Sequence, residues 1–210
     1  MQKVATETLK NLNTLEKLTE LFHQLNYEYS GSVISKRQWK DKIAESAKEL
    51  LLVATHQDFH VIYCQIEKLQ LGKERLIINQ LLKEHLYLLI IFSDPQFTNW
   101  HFVNVKYDED TKKRKVFRRF VIGPDEKLHT AAERLSLIEI KDETISPLAL
   151  QSEHDNAFDV NTVTKEFYQT YKTFFNWIIE TIGQNKPQPE THSFTQQLLN
   201  RMMFVYFIQK

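Results

Sequence analysis

The chain has 210 residues, 42% of them apolar and 12% aromatic, enough to bury a sizeable core, which excludes a disordered polypeptide. Its 27 basic residues balance 27 acidic ones, so a global attraction to polyanions is excluded and any nucleic-acid surface must come from local clustering of charge. A single cysteine excludes a disulfide framework and a four-cysteine metal site. Cys64 lies inside the apolar run Phe59 to Ile66 and reads as a small core hydrophobe rather than a reactive thiol. The N-terminus MQKVATETLKNLN is polar, and no run reaches the roughly 20 apolar residues of a membrane span. A reducing cytoplasm is the expected compartment.

In chain order, Leu9, Leu12, Leu15, Leu18, Leu21, Phe22 and Leu25 recur at helical spacing, with a break near Asn11 and Asn13. A turn around Ser30 to Ser32 precedes an expected second helix from about Ser35 to Ala54, whose Trp39, Ile43, Ala47, Leu50 and Leu51 share one face. Phe59 to Ile66 reads as a buried strand, Lys73 to His85 as a helix, and Tyr87 to Phe92 as another strand. After the turn at Ser93, Asp94 and Pro95, Trp100 to Tyr107 and Lys115 to Ile122 are expected to form an antiparallel hairpin. The first two strands then lie parallel through a crossover while the rest of the sheet is antiparallel.

His129 to Ile138 reads as helical, and a domain boundary is expected between Asp142 and Asp155, where Pro147 and several charges fall. Asn161 to Ile182 is a strongly aromatic helix, and Phe194 to Lys210 a last one, apolar almost all round. Such a helix needs a partner. Either it packs on the aromatic helix and the domain, or the chain is the front part of a longer polypeptide whose next domain covers it. The predicted architecture is therefore α/β: a mixed sheet of about four to five strands flanked by helices, with a helical N-terminal arm (1–55), a mixed-sheet core (56–141) and a linker with helical connector (142–210).

The four glycines Gly31, Gly72, Gly123 and Gly183 are dispersed, which excludes a phosphate-binding glycine loop and the glycine-rich turn of S-adenosylmethionine enzymes. No Pro-Pro pair exists to build an Asn-Pro-Pro methylating site. A nuclease of the PD-(D/E)xK kind needs an acid and a Glu-x-Lys on adjoining strands to hold a hard cation. The nearest echo is Gln65-Ile66-Glu67-Lys68, with Asp58 just before the strand; Glu67 and Lys68 are adjacent and would face opposite sides of a sheet. Solvated strand-end charges are the simpler reading. His56 and His60 fall four apart with no third ligand near, so no metal ligand set is assigned. His101, between Trp100 and Phe102, reads as a hydrogen-bonded sheet residue rather than a base.

The strongest charge signal is Lys112-Lys113-Arg114-Lys115 followed by Arg118-Arg119, with Lys106 on the partner strand. A cationic ribbon of this kind can follow a phosphate backbone; Lys106, Lys112, Lys113, Arg114, Lys115 and Arg119 are the candidate DNA-binding residues. Asp108, Glu109 and Asp110 oppose this, and a solvated hairpin guarding a sheet edge is the alternative. Strand alternation puts Arg118 and Arg119 on opposite faces, so one arginine points to the core and calls for a carboxylate.

Taken together, WHFVNVKYDEDTKKRKVFRRFVIG (100–123), HTAAERL (129–135), AFDVNTVTKEFYQTYKTFF (157–175) and FTQQLLNRMMFVYFIQK (194–210) resemble the N-terminal region of type IIG-like restriction-modification enzymes. In that family cleavage, target recognition and adenine-specific DNA methylation are fused in one polypeptide. The resemblance covers roughly 59–210 in this order. In the family the segment resembling 194–210 leads into a helical connector and then the methyltransferase.

What the resemblance implies is an N-terminal DNA-engaging or domain-organising module of a bacterial restriction-modification enzyme, not catalytic for methylation by itself. S-adenosylmethionine and Mg²⁺ are expected for the full-length enzyme only, and no cofactor and no catalytic residue are assigned to this chain. The expected partners are DNA and a downstream methyltransferase domain, or a second copy through the C-terminal helix. Two alternatives stand beside it. One is a divergent Mg²⁺-dependent endonuclease using Asp58, Glu67 and Glu45 or Glu49; the other is a non-catalytic interaction or dimerisation module.

Overall fold

A computed structural model describes residues 3–108, 113–182 and 188–209; of the side chains of 107–108, 113–116, 160–166, 188 and 207 nothing is said. The contacts divide the chain into two compact units, Met1–Asp159 and Val160–Lys210.

The first unit is built on a six-stranded sheet whose spatial order follows the sequence: β1 (Glu28–Val33), β2 (Glu49–His56), β3 (Phe59–Gln65), β4 (Tyr87–Ser93), β5 (Trp100–Asp108) and β6 (Lys113–Ile122). Neighbours pair antiparallel except β3 and β4, which run parallel in the register Phe59 with Tyr87 to Gln65 with Ser93. The chain crosses between those two through α4 (Leu71–Leu81), as a parallel pair requires. The α/β mixed sheet is thus as expected, with one to two strands more than the sequence suggested.

One extra strand, β1, lies where a turn was expected around Ser30 to Ser32, and the other, β2, where one helix was expected over about Ser35 to Ala54. That reading is corrected: α3 covers only Asp41–Ser46, and β2 follows it. Apolar residues at 39, 43, 47, 50 and 51 fit a helical face, yet Glu49–His56 pairs along its length with β3, and tertiary pairing outweighs a weak local preference. A bulge at Val53 also hides the strand period, because it turns Val53 and Ala54 toward the same core. In β1 the register shifts between Tyr29 and Ser32, and Gly31 there has φ +67°, a conformation in which a Cβ would also strike the Tyr29 ring.

Both sheet faces are covered. On one lie α1 (Thr6–Lys10), α2 (Leu15–Gln24), α5 (Leu128–Ser136) and α6 (Pro147–Ala157), closing a core that holds Phe22, Phe59, Tyr63, Trp100, Phe102 and Leu150. On the other, α3 and α4 cover Ile62, Cys64, Ile90, Phe92 and Val103. Local signals start the helices: Thr14 caps α2 through Lys17 N at 3.3 Å, and Ser146, followed by Pro147, caps α6 through Ala149 N at 3.3 Å.

The second unit is a helical hairpin of α7 (Val160–Ile182) and α8 (Gln188–Gln209). Tyr171 stacks on Phe175, whose ring meets His192 edge-on at 5.5 Å, and Thr191 and Thr195 of α8 are buried. No helix among the described residues is long and apolar enough to cross a membrane.

Candidate functional site

Of the residues singled out for DNA contact, Lys106 and Arg119 have described side chains, and each lies beside a carboxylate. Lys106 Nζ lies 3.7 Å from an Asp159 carboxylate oxygen. Arg119 Nη1 lies 3.7 Å from Glu74 Oε2, a carboxylate that is only 2% exposed on α4. Lys113 and Arg114 pair in backbone register with Asp108 and Tyr107, and a shift between Lys106 and Tyr107 leaves Lys115 as the bulged residue of β6, the edge strand. The side chains of Lys113, Arg114 and Lys115, and the whole of Lys112, lie outside the described residues.

Glu74 is the group that sequence reasoning passed over. His101 Nδ1 sits 2.8 Å from Glu74 Oε1, and Arg119 completes the cluster on the α4 side of the sheet. The signal was present: Glu74 falls three and four residues before Ile77 and Ile78, on the buried face of α4. A carboxylate there must be paired, because desolvating a lone charge costs several kcal/mol. The cluster therefore clamps α4 to β5 and β6. On the opposite side Arg118 faces the other core, with its Nε enclosed and without a hydrogen-bond partner.

A second polar clamp fixes α6. Gln151 Nε2 donates to Asn104 Oδ1 at 2.8 Å, Asn104 Nδ2 donates to Asp155 at 2.6 Å, and Leu88 N donates to Gln151 Oε1 at 3.1 Å. Nearby, Tyr27 Oη joins Ile138 O and His154 Nε2 at 2.9 and 2.7 Å. Burial drives the His154 imidazole down to about 3, so it stays neutral.

The acids considered for a nuclease are separated by the fold. Asp58 lies in the two-residue turn between His56 and Phe59, and Glu67 lies past the far end of β3. Nine residues of near-extended chain put roughly 30 Å between them, too far to share a cation. Glu49 pairs with Gln65 and so lies at the Glu67 end. Among the described residues no three His, Cys, Asp or Glu side chains converge as metal ligands would. His56 and His60 diverge: His56 Nε2 meets Ile145 O at 3.1 Å on one face, while the His60 ring meets His85 at 4.7 Å on the other. Cys64 is wholly buried, and burial pushes its thiol up to about 12.

The second unit carries a run of exposed large apolar side chains. On α7 Phe167, Tyr168, Phe174 and Trp177 are more than half exposed, as are Phe194, Met202, Phe204, Val205, Tyr206 and Ile208 on α8. Between the helices runs a trough of about 640 Å³ whose described lining is aromatic, aliphatic, methionine and threonine side chains, with no charged residue among them. The expectation that the last helix is shielded is not met within this chain, where Phe204 remains 66% exposed and Ile208 67%.

No protein-family model, no curated protein and no solved structure matches this chain.

Proposed function

We propose that the chain is an organising module of a restriction-modification assembly, in which the six-stranded unit is a stable body and the α7–α8 hairpin is the surface that holds another protein. One observation carries this: ten large apolar side chains described on two adjacent helices stand more than half exposed, beside a trough with no charged residue among its described lining. The sequence resemblance to type IIG-like enzymes supports the class of assembly. The chain itself is assigned no methylating role. To test it, the chain is titrated with an adenine-specific methyltransferase polypeptide of that class lacking its own N-terminal region. Micromolar or tighter binding, lost in Trp177→Ala, is expected; binding unaffected by that change removes the hairpin from the reading.

A DNA contact is the second reading, favoured by the position of Lys113, Arg114 and Lys115 on an edge strand that bulges at Lys115. Reversing these three charges is expected to weaken duplex binding and flatten its salt slope by about three. An unchanged slope retires the β5–β6 ribbon as a phosphate contact.

A further inference from the structure

The spacing of the trough residues is informative beyond their exposure. On α7 the lining positions Phe167, Thr170, Phe174, Trp177 and Thr181 advance in steps of three, four, three and four. On α8 Leu199, Met202 and Tyr206 advance by three and then four. Both helices thus present the 3.5-residue repeat of a bundle seam toward the same trough, and each seam has room for a further helix. Tyr171, Ile178 and Ile182 on α7 and Leu198 and Met203 on α8 widen the stripe, and Phe174, Trp177 and Met202 within it stay more than half exposed.

Charge decides what kind of occupant fits. Among the described side chains of α7 and α8, Lys172 and Arg201 balance Glu180 and Glu190, and none of these four lines the trough. A face with no net charge offers nothing to hold a polyanion or an anionic membrane surface, but it meets an identical face without repulsion, as a two-fold interface demands. Area agrees. Phe167, Phe174, Trp177, Met202 and Tyr206 are 55–61% exposed, and at roughly 100 Å² of open surface each, together with the half-buried residues between them, they approach the ~800 Å² per partner of a standard specific interface.

We infer that the occupant is a second copy of this chain, the two α7–α8 hairpins closing into a four-helix bundle. This rests on the organising reading and names its partner. Trp177 and Phe174 are then central anchors, since large aromatics near the middle of an interface dominate its affinity.

The test is sedimentation equilibrium of the full chain from low to high micromolar concentration, with amide exchange followed along α7. A two-chain mass is expected, with α7 protected as dimer forms. Phe174→Glu with Trp177→Glu is expected to give a single-chain mass while the thermal transition of the first unit stays in place. Should the charged pair unfold α7, the pair Phe174→Ala and Trp177→Ala keeps helix propensity and is expected to raise the dissociation constant about a hundredfold or more. A single-chain mass throughout overturns the dimer. If the methyltransferase polypeptide is then still bound through Trp177, the organising reading survives; if it is not bound, both fail. A two-chain mass that persists in both variants places the contact elsewhere and also overturns the proposal.

Discussion

Helices α6 and α8 invert what their sequences advertise. PLALQSEHDNA is polar, yet Leu150, Gln151, His154 and Ala157 are buried; LLNRMMFVYFIQ is apolar, yet most of it faces outward. The difference is partners. Gln151 meets Asn104 and Leu88 N, and His154 Nε2 meets Tyr27, so most of the polar atoms that leave water here recover a hydrogen bond, His154 Nδ1 being the exception. Along α8 Met202, Phe204, Val205, Tyr206 and Ile208 stay more than half exposed. Burial follows the availability of a complementary surface and not hydropathy.

That contrast can be broken most forcefully from the polar side. Glu74→Ala strands His101 and Arg119 against the α4 layer and is expected to cost about 3 kcal/mol in urea unfolding, since removing one partner of a buried pair leaves the other uncompensated. A loss below about 1 kcal/mol would mean the cluster is incidental to α4 docking. Gln151→Ala frees Leu88 N–H and Asn104 Oδ1 at once, and a loss of roughly 2 kcal/mol is expected by the same measurement.

Acid gives a sharper version. The His154 pKa is held near 3 in the folded chain against an ordinary value of 6.5, so the unfolded state binds the extra proton. Its contribution is complete above pH 6.5 and drains away as pH falls from there toward 3, amounting to a few kcal/mol at most. His154→Phe keeps ring packing against Phe59, and a stability profile flatter between those limits than the parent's is expected; superimposable slopes would show that His154 does not titrate with unfolding. The smallest effect belongs to the hairpin: Trp177→Ala is expected to shift the first unit's unfolding midpoint by less than about 0.5 kcal/mol, because its ring is 61% exposed.

The same contrast explains what the sequence disclosed. β3, α4, β4, β5 and β6 were legible because their apolar residues repeat without interruption and turns such as Ser93-Asp94-Pro95 punctuate them. β2 was not, since Leu50 and Leu51 continue a helical spacing begun at Trp39 and the bulge at Val53 breaks the strand alternation. The docking of α6 was hidden by its own polarity. Of the cationic candidates, Arg119 is exposed yet lies beside the buried Glu74 carboxylate, a contact the sequence hid because only the tertiary structure brings residue 74 beside residue 119.

Cys64 carries a practical consequence. As the sole sulfhydryl, sealed between β3 and the α4 layer, it is sheltered from an alkylating reagent until the sheet parts. The rate at which it is modified under native conditions therefore clocks the opening of the six-stranded body alone, leaving the state of the helical hairpin out of the reading.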